Sequence, residues 1–172
     1  LELNYWRDKM KKKELCFIGL ALAALGTFLP LINVPFVGSV NFYSNGNSSL
    51  EGILVIILCS ITGFLIYKGS DYFKGAVISS SILLVVVAGD LILTFSKIQK
   101  IKSNFLSEMQ GNPFLELGEG LMNSAGISWG WAVLVIGAGM AFYCCLELEK
   151  EKKIAEEKLK NKEENTTKEE IC

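Results

Sequence analysis

Four long runs of apolar residues are the feature that most constrains how this chain folds. They cover residues 15–34, 52–67, 75–95 and 127–146, and charged residues are concentrated outside them. A helix that crosses a ~30 Å hydrocarbon core needs roughly 20 predominantly apolar residues. Because a helix satisfies its own backbone hydrogen bonds in lipid, we predict an all-α integral membrane bundle of four transmembrane helices.

The first run has a second interpretation as a secretory signal peptide, because lysines precede an apolar stretch that contains small residues. The run continues through Pro30 to Val34 without a clear small-x-small cleavage site. We therefore favour a retained span, with Pro30 and Pro35 marking its far end. A mature N-terminus beyond residue 30 would reduce the count to three spans.

The runs divide the chain into a basic N-terminal segment (1–14), a four-helix transmembrane domain (15–146) and a charged tail (147–172). Met10 is followed by three lysines and would make a natural start, so we expect residues 1–9 to be either an upstream extension or the edge of a fragment. Lysine and glutamate alternate in the tail at spacings that favour a solvated helix, so the tail is predicted to extend the fourth span.

The basic residues predict the orientation. Cytoplasmic connections carry an excess of lysine and arginine, and only three of the chain's 17 basic residues lie in the connection 96–126, with none in 36–51. We therefore predict that both termini are cytoplasmic and that the protein is a multi-pass protein of a bacterial plasma (inner) membrane. The three exceptions are Lys97, Lys100 and Lys102, just beyond the third span, and they run against the rule.

Aromatic residues at the ends of the spans are predicted to anchor them at the two interfaces, where amphipathic rings are enriched. Trp129 and Trp131 lie at the outer end of the fourth span, and Tyr67 and Tyr143 lie towards inner ends.

The connection 96–126 is too long to be a plain turn. Its apolar residues recur at intervals of three and four: Ile98, Ile101, Phe105 and Met109. This spacing predicts an amphipathic helix that continues from the third span and lies on the outer interface, with an end at 111–113 and a second short helix at 114–122. A loop packed over the bundle is the alternative, and the sequence does not separate the two.

Asp90 is the carboxylate inside the third run and the sharpest candidate for chemistry. A charge at the bilayer centre costs roughly 2.5–3.5 kcal/mol on insertion scales, so Asp90 is expected to face the bundle interior. It is interpreted either as a proton or cation site or as a structural group that bonds to hydroxyls such as those of Thr27 or Thr94. Lys97 lies two turns further along the same face and completes this candidate intramembrane polar site.

Small residues recur four positions apart within the runs, for example at Gly19–Ala23 and Gly137–Ala141. Such pairs let helix backbones approach closely in lipid. They predict a compact bundle, and leave open whether the close contacts form within one chain or between chains.

Other chemistry is restricted by composition. The chain has no histidine, which excludes Ser–His and Cys–His catalytic pairs, and its five cysteines are too scattered in sequence to suggest that they converge on a metal. No nucleotide-binding loop or nucleophile elbow is present. The net charge of −1 gives no basic field for nucleic acid. We predict no enzymatic activity, no cofactor and no metal.

Several short motifs resemble those of a loose group of uncharacterised small bacterial membrane proteins: GTFLP at 26–30, VGS at 37–39, NPF at 112–114 and WGWAVL at 129–134. Some members of that group carry an N-terminal zinc ribbon, which is absent here. The resemblance covers roughly 15–146 and implies a four-span bacterial protein without implying a function.

The sequence supports two functional hypotheses. The first is a membrane-embedded interaction or accessory protein, whose partners are the lipid bilayer and either itself or another membrane protein. The alternative is a small channel or transporter subunit that uses Asp90 as an intramembrane proton or cation site.

Overall fold

The structure is a computed structural model that describes residues 2–34, 38–43, 49–108, 115–124 and 126–171 of the chain, with side chains for most of these between residues 11 and 162. It is mostly helical. The elements in chain order are α1 (Glu2–Gly26), β1 (Ile32–Val34), β2 (Gly38–Val40), α2 (Ser49–Lys68), a 3₁₀ turn (Ser70–Tyr72), α3 (Phe73–Glu108), α4 (Leu115–Ser124), β3 (Gly126–Ile127) and α5 (Gly130–Ile171).

The four long helices form a bundle in which each packs chiefly against two neighbours. α1 packs along α5, α5 along α3, α3 along α2, and α2 along α1. Small and aliphatic side chains fill the centre, including Ala23 of α1, Val55 of α2, Leu83 of α3 and Leu134 of α5, all of which are fully buried. Large apolar side chains such as Val85 are exposed on the outside, as expected for a bundle surrounded by lipid.

Three helical segments among the described residues are long and apolar enough to cross a membrane: Leu50–Lys68, Ser70–Glu108 and Gly130–Lys162. These segments contain the predicted spans 52–67 and 75–95 and most of the span 127–146. Helices of that length and composition are compatible with a membrane protein.

α1 differs from the predicted first span of residues 15–34. The helix ends at Gly26, a turn follows, and residues 32–34 form β1. Pro30 accounts for the early end, because it has no N–H to donate and it disfavours helical conformation in the residue before it. The apolar part of the helix, 15–26, is about 18 Å long at 1.5 Å per residue, so this helix alone is too short to cross a bilayer.

A three-stranded antiparallel sheet closes one end of the bundle, so the prediction of an all-α fold is wrong in this detail. β1 lies between β2 and β3 and pairs with both. Backbone hydrogen bonds continue the sheet, with Ser128 N donating to Leu31 O at 2.8 Å and Gly130 N to Pro30 O at 3.1 Å. The sheet thereby ties the end of α1 to the start of α5, and α5 begins at Gly130 rather than at residue 127.

The close packing of α1 on α5 depends on small residues. A Cβ added to Gly19 would lie 2.8 Å from Ala141 N, and one added to Gly137 would collide with the backbone N of Ala23. The predicted close contacts between small residues therefore form within one chain, across an antiparallel pair of helices.

α3 runs without interruption through Glu108, so the third span continues into the following connection as a helix, as predicted. With 36 residues it is about 54 Å long, well beyond a hydrocarbon core. A continuous helix without proline projects along the axis of the span, so residues 96–108 do not lie flat across its end. α4 is the predicted second short helix. Met109 and the predicted helix end at 111–113 lie outside the described residues.

Candidate functional site

Asp90 lies on α3 with a half-buried side chain. Its Oδ2 atom is excluded from solvent and has no hydrogen-bond partner among the described residues. The hydroxyl of Thr27, one of the predicted partners, donates instead to the Ala24 carbonyl at 2.7 Å. The described side chains therefore give this oxygen no partner, and an unpaired carboxylate oxygen away from water is costly.

The position of Asp90 along the bundle follows from a hydroxyl pair that lies further from the sheet. Thr62 of α2 and Ser79 of α3 are buried with their hydroxyl oxygens 2.8 Å apart, so they lie at one level. Glu51 precedes Thr62 on α2 by as many residues as Asp90 follows Ser79 on α3. Both helices rise about 1.5 Å per residue and run antiparallel, so Glu51 and Asp90 also share a level, about 16 Å nearer the sheet. Asp90 is therefore close to the sheet end of the bundle and not at its centre.

Two charged groups act on Asp90. The Glu51 carboxylate repels a charge at Asp90 and the Lys97 ammonium attracts it. Lys97 is exposed, and the described side chains form no ion pair between it and Asp90. Glu51 thus joins the predicted polar site. It could not be singled out from the sequence because it lies just before the second apolar run, 52–67.

The four predicted interfacial aromatic residues occupy two different environments. Tyr67, Trp129 and Tyr143 are exposed on the outside of the bundle. Trp131 is only 3% exposed and packs edge-on against Phe42, with ring centroids 5.9 Å apart. The position of Trp131 is therefore a core position under the sheet, which differs from the predicted contact with the interface.

At the end opposite the sheet, ion pairs join three segments of the chain. Lys12 of α1 forms ion pairs with Glu151 and, at 3.9 Å, with Glu147 of α5. Lys152 of α5 lies 3.7 Å from Asp71 of the 3₁₀ turn. The N-terminal segment, the connection between α2 and α3, and the tail therefore lie at one end of the bundle.

The Lys12–Glu151 contact also carries an electrostatic signature. The hydrogen bond to Glu151 is the largest cause that raises the pKa of Lys12 above its ordinary value of 10.5, and desolvation opposes it. We call residues 2–14 of α1 and 147–171 of α5 the arm, because these helical segments continue past the apolar part of the bundle.

A cluster of thiols lies where the arm meets the bundle. Cys16 of α1 and Cys144 and Cys145 of α5 are all buried, and the close approach of Gly19 to Ala141 one turn away brings Cys16 next to the other two. Three of the five cysteines therefore lie close together across the α1–α5 contact, and no group of described residues has the arrangement of a metal site.

The signal that would have found this cluster is present in the sequence. Cys16 lies three residues before Gly19, and Cys144 lies three residues after Ala141. Once Gly19 and Ala141 are placed opposite each other on antiparallel helices, Cys16 and Cys144 must also be opposite.

No protein-family model, no curated protein and no solved structure shows significant similarity to this chain. The resemblance to small bacterial membrane proteins consequently stays a prediction, and the function has to be argued from the geometry.

Proposed function

We propose that this chain is an interaction or accessory protein of the bacterial plasma membrane, anchored by four spans, with its arm as the contact surface for another protein or a second copy of the chain. Both termini lie in the cytoplasm in this proposal. The observation that carries it is the arm itself, a pair of helices that leaves the bundle at one end.

The fourth span in this proposal is α1 together with the turn that follows it. α1 lies against the apolar part of α5, one of the three helices long enough to cross a membrane. Residues 27–30 and the sheet carry the chain on to the level of Gly130, the first residue of α5. A segment packed along a spanning helix over that length occupies the same layer as the helix. The backbone of residues 27–31 is not helical there, but its polar groups form the hydrogen bonds of the turn and the sheet.

The arm has the features of a contact surface. The pairing of Lys12 with Glu147 and Glu151 sets the register, so the start of α1 lies near residue 159 of α5 and the α5 helix continues beyond it. Ile154 and Leu159 are exposed there, on a helix otherwise rich in charge. Exposed apolar residues within a charged helical surface are typical of positions that bind another helix.

Photo-cross-linking in native membranes tests this proposal. A photoreactive residue at Leu159 should give adducts with one defined protein or with a second copy of the chain. The matched control is the same residue at Ile57 of α2, which is exposed on the apolar surface and should react with lipid. A chain that stops after Lys158 keeps both ion-pair partners of Lys12, so it should stay folded. It should no longer bind the protein that the adducts identify. Adducts at Ile57 and none at Leu159 would overturn the proposal.

A channel or transporter subunit that uses Asp90 is the second candidate, and the buried Oδ2 atom of Asp90 favours it. The buried polar side chains in the described core are all hydroxyls: Thr27, Thr62, Ser79, Ser80 and Ser128. Several of these donate to backbone carbonyls three or four residues earlier in the chain, which leaves little polarity to line a path. Any path would therefore form between copies of the chain.

Flux measurements in liposomes separate the two candidates. The transport hypothesis requires proton or cation flux with the unaltered protein and its loss in Asp90→Asn, with assembly unchanged. Lys100→Gln is the matched control, because Lys100 is exposed on the same helix and lies outside the candidate polar site. Absence of flux with the unaltered protein would eliminate the transport hypothesis.

A further inference from the structure

We propose that the end of the bundle where α2 meets α3 binds an anionic phospholipid, whose headgroup phosphate is held by the ammonium groups of Lys68 and Lys74. The inference rests on the part of the proposed function that places the bundle in a membrane, and it is independent of the arm. It assigns a ligand to two lysines that neither the arm nor the Asp90 site uses.

The first support is that the two lysines lie at one level of the bundle. The buried hydroxyl oxygens of Thr62 and Ser79 are 2.8 Å apart, which fixes the register between α2 and α3. Lys68 follows Thr62 by six residues, and Lys74 precedes Ser79 by five. Because the helices are antiparallel and rise about 1.5 Å per residue, the backbones at Lys68 and Lys74 differ in height by only about 2 Å. One layer of headgroups can therefore contact both lysines.

The second support is the surface that leads to each lysine along its helix. Both lysines end a stripe of exposed apolar side chains, spaced by three and four residues, on the outside of the bundle. The stripes consist of Ile57, Ile61 and Phe64 before Lys68, and of Ile78, Ile82 and Val85 after Lys74. Acyl chains that contact these stripes place their headgroups at the level of the two lysines.

Aromatic rings hold the Lys68 ammonium close to the connection between the helices. Its Nζ atom lies 5.4 Å from the centroid of the Phe64 ring and 4.9 Å from the centroid of the Tyr72 ring. Such cation–π contacts fix the position of an ammonium group without neutralising its charge. Lys68 is therefore positioned next to the apolar stripe of α2 and stays available to an anion.

The charges around the two lysines favour an anionic ligand. Lys68 and Lys74 are exposed, and neither forms an ion pair with another side chain in the part of the chain that the structure describes. The carboxylate of the connection, Asp71, lies 3.7 Å from the Lys152 ammonium, which offsets its charge. A phosphatidylglycerol headgroup brings one uncompensated negative charge to the two lysines, whereas a choline headgroup cancels the charge of its own phosphate.

Native mass spectrometry of the purified chain in detergent tests this inference. The probe is an equimolar mixture of phosphatidylglycerol and phosphatidylcholine with identical acyl chains, and the bound lipid should be enriched in phosphatidylglycerol. Lys68→Gln and Lys74→Gln should each lower this enrichment roughly five-fold, the factor that one lysine at a membrane surface contributes. Lys158→Gln is the matched control, because it removes the same charge from an exposed position of the tail. All three variants should keep the thermal unfolding midpoint of the unaltered chain in lipid-free detergent.

Two results would overturn the lipid site: equal binding of the two lipids, or the same loss in Lys158→Gln as in Lys68→Gln. Soluble glycerol phosphate is a second probe. Because it has no acyl chains, an excess should not displace phosphatidylglycerol, and displacement would assign the lysines to a free phosphate instead.

The proposed membrane anchoring fails in a different experiment. If the bundle is not anchored in the membrane, carbonate washing of cell membranes should release the chain. A chain that stays in washed membranes but shows no enrichment of phosphatidylglycerol would contradict the lipid site alone.

Discussion

The α1–α5 pair and the α2–α3 pair are built differently. α1 and α5 are more than a hundred residues apart in sequence, and their backbones touch at glycine and alanine positions. The sheet ties them together at one end and the ion pairs of Lys12 tie them at the other. α2 and α3 are joined by a short connection, and among the described side chains one buried hydroxyl pair, Thr62 and Ser79, links them.

The arm extends from the more tightly packed of these two helix pairs. Close backbone packing requires several small residues in register and tolerates little change, because interiors are densely packed. Both segments of the arm belong to this tightly packed pair, which gives the arm a rigid base. The α2–α3 pair has less to hold it in register, and the candidate carboxylates Glu51 and Asp90 lie on it.

The largest expected effect comes from breaking the close contact. Gly137→Ala places a Cβ against the Ala23 backbone, and overpacking of this kind costs about 1–3 kcal/mol. We expect a clear fall in the thermal unfolding midpoint of the purified protein in detergent. Gly139→Ala is the matched control on the same helix, because a Cβ there meets nothing within 4 Å. Similar midpoints for the two variants would show that α1 and α5 do not pack this closely.

A smaller effect is expected for the hydroxyl pair. Thr62→Val keeps the shape and removes the bond to Ser79, and such bonds between membrane helices contribute about 0.6 kcal/mol on average, up to about 1.7. The control is Ser60→Ala, whose hydroxyl is exposed and bonds to Ile56 O of its own helix. A double-mutant cycle with Ser79→Ala should give a coupling energy in this range, and zero coupling would remove the pair from the account of α2–α3.

The smallest effect concerns the ion pairs at the base of the arm. Lys12→Met keeps most of the apolar stem and removes the charge, which costs about 0.2–1 kcal/mol for a partly exposed pair. Hydrogen exchange over the start of the tail should become faster, and Lys11→Met, at an exposed position, should leave it unchanged.

The same ion pairs give a pH dependence. The pKa of Lys12 is raised above 10.5 in the folded state, so its contribution is complete below pH 10.5 and is lost as the pH rises through the raised value. The difference between the unaltered protein and Lys12→Met should therefore disappear in strongly alkaline buffer. A difference that persists there would assign the effect to packing instead of charge.

Much of the fold could be predicted because lipid makes long apolar runs easy to recognise. The helices of the second, third and fourth runs follow from their length and composition alone. The early end of α1 and the sheet could not be predicted from hydropathy, since residues 27–34 are as apolar as the helix before them. The conformation of residues 27–34 is decided by Pro30 and by pairing with β2 and β3. The pairing partners cannot be recognised from the hydropathy of residues 27–34 themselves.

The sites were less accessible to sequence analysis, for a related reason. Asp90 could be singled out by itself, because a carboxylate in an apolar run is conspicuous. The level of Asp90 in the bundle, its neighbour Glu51 and the position of Cys16 opposite Cys144 all depend on the register between helices. Register follows from which small residues meet, and one sequence offers several such pairs without saying which are used.

Side-specific labelling of two positions on either side of α1 tests the central claim, that this short helix and its turn cross the membrane beside α5. Lys11→Cys and Ser39→Cys are both exposed sites, and in a Cys172→Ser chain the four remaining native cysteines are buried. An impermeant maleimide should label Ser39→Cys in intact cells and Lys11→Cys only after the membrane is opened. Labelling of both positions from the same side would show that α1 does not cross, and would contradict the four-span arrangement.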